Sequence, residues 1–128
     1  MNTRFRNVAI VAACIFLALA LTWMFAPGVL LSRWGLDLSD STGLMGRRAA
    51  ALYAGIGVMF LQARNAAPSP ARSALLSGAI VACLLLAALG TVELIDGHAG
   101  PGILVAVAIE IVLVMAFLYA ARTRQTHR

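Results

Sequence analysis

Residues 8–26 read VAIVAACIFLALALTWMFA, without a charged side chain from end to end. A helix needs about 20 predominantly apolar residues to cross the hydrocarbon core of a bilayer. This run has that length, follows Arg4 and Arg6, and meets the helix-stopping pair Pro27-Gly28. Three further runs share its character. The second covers residues 44–62, with Arg47 and Arg48 in its first turns; the third covers 73–95 and contains Glu93; the fourth covers 102–120 and contains Glu110.

The segments between the runs are short. Residues 29–43 form the longest and carry Trp34, Asp37 and Asp40; Ser39, Asp40, Ser41 or Thr42 is the expected N-cap of the second helix. Residues 64–72 hold Pro68-Ser69-Pro70, and residues 96–101 form a Gly-rich turn that includes His98. Short connections place consecutive helices side by side and antiparallel. The expected fold is therefore all-α: an integral membrane four-helix bundle of up-down topology, one transmembrane domain over residues 1–128.

Composition agrees with lipid as the solvent. Apolar residues make up 62% of the 128 and charged residues 12%, against about 45–50% and about 25% in soluble domains. The net charge of +5 is carried entirely by Arg. These arginines sit at the ends of apolar runs, a pattern of membrane orientation, and no soluble element presents a basic face to nucleic acid. Arg4, Arg6, Arg64, Arg72, Arg122, Arg124 and Arg128 share one side of a four-span arrangement, which puts both termini in the cytoplasm. Trp23, Trp34 and Tyr119 fit interfacial anchors, and Trp23 fits equally as packing within the first helix. That helix is too long for the roughly 7–15-residue core of a signal peptide and is expected to be retained despite its Ala18-Leu19-Ala20 pattern.

In lipid, helices associate through close packing at small residues. The second span offers Gly46, Ala50 and Ala54; the third Ala74, Gly78 and Ala82; the fourth Gly102 and Ala106, continuing to Glu110. The first span has no glycine row and is expected at the periphery. These rows serve packing within the chain or between two copies. Cys14 and Cys83 lie inside apolar runs and read as packing residues; neither a CxxC pair nor a Cys/His metal cluster is present. His98 and His127 lie in a turn and the tail, so no intramembrane pair is available for haem. Catalytic triads, phosphate loops and HExxH are missing, and Gly55-Ile56-Gly57 is a packing step.

Ionisable groups within a span cost about 2.5–3.5 kcal/mol at the centre on insertion scales, and they tend to face partners in the bundle interior. Counting helix rise, Glu110 and Glu93 fall in the same half of the bilayer as Arg47 and Arg48, with His98 above them. These five form the candidate polar cluster. One explanation is an ion-pair network that fixes helix register. The other is a polar pocket holding a lipid headgroup, a quinone or another small amphipathic molecule.

The chain resembles small four-span bacterial membrane proteins of the DoxX-like superfamily, mostly of unknown function. The likeness rests on Phe25-Ala26-Pro27, Trp34-Gly35-Leu36, Gly46-Arg47-Arg48, the glycines of the second helix and the acid Glu110. It implies a compact bundle in a bacterial inner membrane. Some members are linked to quinone-dependent oxidation or to membrane redox complexes, although a thiol-redox version would need a cysteine pair. Three functions compete. The first is a non-enzymatic module that binds membrane lipid or quinone, or serves as a subunit of a larger complex or homo-oligomer. The second is a small homodimeric proton-coupled transporter. The third is a membrane enzyme acting on a lipid or quinone.

Overall fold

A computed structural model describes residues 3–122; Arg124, His127 and Arg128, counted above for orientation or as a tail histidine, lie outside the described residues. The described chain is entirely helical: α1 (Thr3–Phe25), α2 (Pro27–Arg33), α3 (Asp40–Ala63), α4 (Pro70–Ile95) and α5 (Ile103–Arg122). Four of the five, all but α2, are long and apolar enough to cross a membrane. Hydrocarbon cannot satisfy backbone N–H and C=O groups, so a spanning segment must satisfy them within itself, as a helix does.

The helix ends follow local chemistry. Ser39 caps α3: its hydroxyl accepts from the Thr42 N–H at 3.2 Å, while Thr42 Oγ1 accepts from the Ser39 N–H at 2.8 Å. Ser69 caps α4 in the same sense, accepting from the Arg72 N–H at 3.2 Å, with Pro70 in the first turn. The short α2 departs from the expectation of an irregular connection. Pro27 does end α1, but it also opens a new helix, because proline lacks only an N–H that the first helical position leaves unused.

The first helix is central, not peripheral as its lack of glycines suggested. Its buried residues run its whole length, from Phe5 through Ala9, Ala12, Ala13, Phe16 and Ala20 to Trp23. The glycines that admit it are on α3. A Cβ at Gly46 would lie 2.6 Å from the Trp23 ring, and one at Gly57 would lie 2.7 Å from Leu17 Cγ. Trp23 is thus a packing residue. The row expected on α4 is rotated: Ala74 and Gly78 are exposed, and Ala79, Cys83, Ala87 and Gly90 are buried. Gly90 seats α5, since a Cβ there would lie 2.9 Å from Val107.

Contacts concentrate in two helix pairs, α1 with α3 and α4 with α5; α3 and α4, consecutive in sequence, touch only sparsely. The pairs are joined through a column of rings. Phe16 stacks on Tyr53 and on Phe60, each at 6.0 Å, and Phe60 stacks on Phe117 at 5.1 Å. At the end where α1 begins, the Arg72 guanidinium lies 4.0 Å from the Phe5 ring centroid and Arg4 lies 5.1 Å from that of Tyr119. The first of these is buried, and desolvated cation–π contacts contribute up to about 2 kcal/mol; the second is exposed and is worth about 0.5–1 kcal/mol.

Replacing Gly57 by Val forces Leu17 away and separates α1 from α3. Unfolding in detergent should show a loss of about 1–3 kcal/mol. Gly55, with nothing within 4 Å of its Cβ position, should accept Ala without loss in the same assay.

Candidate functional site

The fully buried residues of α5 are Leu113, Val114, Phe117 and Ala120, all in its second half. Its first half instead borders a cavity of about 310 Å³ between α5, α1, α2, α3 and α4. The walls are Phe16, Leu19 and Trp23 from α1, Leu30 from α2, Tyr53 from α3, Cys83 and Leu86 from α4, and Gly102, Val105, Ala106, Ile109, Glu110 and Leu113 at α5; Arg33 and Trp34 close one end. Val105 and Ile109 are 63% and 40% exposed, so the cavity also borders the outer flank of α5.

Backbone contacts hold that end in place. The Gly100 N–H donates to the Trp34 carbonyl at 2.6 Å, joining the end of α2 to the turn between α4 and α5. Gly35 adopts φ 74°, a conformation that disfavours any side chain. At Gly102 a Cβ would collide with the Arg33 carbonyl. The Trp34 ring then tilts against Trp23, centroids 5.4 Å apart at 58°, while Leu31 of α2 is buried beneath.

Glu110 is the one carboxylic acid on the cavity wall. It lies eight residues beyond Gly102, about 12 Å along the helix. Its Oε2 is buried and has no hydrogen-bond partner among the described residues. An unpaired polar atom inside a protein costs about 1–3 kcal/mol, more when charged. Tyr53 and Cys83 share the wall with it, so a phenol, a thiol and a carboxyl surround one space.

The five residues of the expected polar cluster are divided. Glu93, in the last turn of α4, and His98, in the turn that follows, meet Oε2 to Nδ1 at 2.8 Å, with side chains 38% and 67% exposed. Arg47 and Arg48 are exposed on α3 and form no ion pair with an acid among the described residues. They sit about 100° and about 200° around the helix from Gly46, the residue that faces α1. Glu110 stands alone in the cavity. The physical reason is rotation: α3 reaches the cavity through Tyr53, on the face of Gly46, and Arg47 and Arg48 lie off that face.

Tyr53, Cys83 and the two tryptophans were not expected as site residues. Tyr53 had a signal, being three positions past Ala50 on the small-residue face of α3; Cys83 had none, since a buried thiol looks the same whether it packs or lines a space. No group of three His, Cys, Asp or Glu side chains that could hold a metal ion occurs among the described residues. No protein family, curated protein or solved structure matches the chain.

Two substitutions check this geometry by the sign of their effect. Because Glu110 has no partner to lose, Glu110→Leu should stabilise the protein by about 1–3 kcal/mol in detergent unfolding; a register-fixing ion pair would give destabilisation of about 3–5 kcal/mol instead. Gly102→Ala should cost about 1–3 kcal/mol and shift the tryptophan emission, as Trp34 loses its backbone anchor.

Proposed function

We propose that the protein is a non-enzymatic binding module of a bacterial inner membrane, taking a small amphipathic molecule that is dissolved in the bilayer. The observation that carries this reading is the aromatic-walled cavity with one partnerless carboxyl on its side. At about 310 Å³ it falls at the lower end of the roughly 300–1,000 Å³ typical of small-molecule sites. Its composition is also that of such sites: mostly apolar and aromatic walls, with a few polar groups to orient the ligand. The exposed Val105 and Ile109 on its border favour entry from the hydrocarbon, not from water.

In this reading the four spans run up and down with both termini cytoplasmic, as the arginine distribution favours. The cavity then lies in the outer half of the bilayer. Membrane lipids and quinones belong to the class it would admit, in line with the DoxX-like resemblance, and a larger membrane complex or a homo-oligomer is the natural setting for so small a module. The two alternatives, transporter and enzyme, each add a step to binding, and each would begin at this cavity.

The test is native mass spectrometry of protein extracted in mild detergent, comparing the natural chain with Ala106→Phe, which fills the cavity, and Glu110→Gln. A bound small molecule of defined mass should accompany the natural chain and fall about tenfold or more in both variants, equivalent to about 1.4 kcal/mol or more of lost affinity. Equal retention in all three, or none in any, would count against the reading.

A further inference from the structure

The charges around the cavity narrow its ligand, provided that the cavity is a binding site as proposed above. The titratable groups on its wall come one from each helix that has any: Arg33 from α2, Tyr53 from α3, Cys83 from α4 and Glu110 from α5, while α1 contributes only Phe16, Leu19 and Trp23. Neither a phenol nor a thiol supplies positive charge. The Arg33 backbone lies against Gly102 at the closed end, and its side chain makes no ion pair with Glu110 among the described residues. The carboxyl therefore has no ion-pair partner among the described residues.

Four aromatic rings line the same cavity: Phe16, Trp23, Trp34 and Tyr53. Aromatic faces carry partial negative charge and attract cations, most strongly where water is excluded. Rings and an acid without a partner have one common complement. We propose that the cavity binds a lipophilic organic cation, an amine or quaternary onium with an apolar body, whose charge is received by Glu110 and by the surrounding ring faces. An anionic lipid headgroup is repelled by the same carboxylate. A neutral quinone brings no charge for the carboxyl and the ring faces to attract.

Both tryptophans of the chain line the cavity, so intrinsic fluorescence reports on its occupancy. The probes are tetraphenylphosphonium as the lipophilic cation and decylubiquinone as the neutral molecule, titrated into the full chain in nanodiscs. The proteins are the natural chain, Glu110→Gln and Tyr53→Leu, each first checked for cooperative thermal unfolding. Saturable quenching by the phosphonium should weaken about tenfold or more in Glu110→Gln and about threefold or more in Tyr53→Leu. Phosphonium affinity unchanged in Glu110→Gln would overturn the proposal. Saturable quenching by the quinone alone would also overturn it while leaving the cavity as a binding site. Absence of saturable quenching by either probe would overturn the proposal and the binding reading together.

Discussion

The close approach of α3 to α1 is the constraint from which the remaining packing follows. Lipid tails are as apolar as leucine, so helices gain little by hiding from them and must gain by fitting together. Gly46 and Gly57 are eleven residues apart, about three helical turns, and so lie on one face of α3. Their missing side chains bring that face against Trp23 and Leu17. At this distance Phe16 of α1 reaches both Tyr53 and Phe60 of α3. Phe60 in turn receives Phe117 of α5, and α5 carries α4 with it through Gly90 and Val107. The sparse contact between α3 and α4 is a consequence: α4 is placed by α5, not by the helix that precedes it.

The cavity is the place where this ring column stops. The inward residues of α5 increase in size along the helix, from Gly102 and Ala106 through Glu110 and Leu113 to Phe117. At the Phe117 end they fill the space between the helix pairs; at the Gly102 end they leave it open. A gap lined by side chains in a close-packed interior tends to collapse. Here the closed end is set by main chain against main chain, the Gly100 N–H on the Trp34 carbonyl and Gly102 against the Arg33 carbonyl. Backbone at contact distance cannot repack as rotamers do, so α2 acts as a fixed spacer.

The four helices long and apolar enough to cross a membrane were legible because their signal is length and hydropathy, which survive any rotation of the helix. The Ser39 cap was legible among its neighbours because it is a local interaction. Rotation and lateral order were not. Gly102, Ala106 and Glu110 were visible as a row, but whether small residues admit a neighbouring helix or leave a void depends on what stands opposite. On α3 the small face meets α1; on α5 it meets open space. The pairing of Arg47 and Arg48 with Glu110 failed for a related reason. Depth can be counted along each helix, but the face it turns to the cavity is decided by packing between residues far apart in sequence. The short α2 was hidden by Pro27, whose role as a stop is stronger in sequence patterns than its role as a first residue.

Two features of α5 are unfavourable for stability when considered separately. Ala106 leaves volume unfilled, and missing contacts on one side of a wall forfeit dispersion energy. Glu110 buries a polar atom without a partner among the described residues, in a segment where leucine would be at home. They are four residues apart on one helix face and border the same space, with Trp23, Trp34, Tyr53 and Phe16 around it. Independent packing defects would have no reason to share a wall with every tryptophan in the chain. A single bound molecule would offset both deficits at once: its body would fill the volume beside Ala106, and its polar group would satisfy Glu110. The stability of an occupied bundle would then contain the binding free energy, by mass action, and the features that weaken the empty bundle would be the ones that make occupancy favourable.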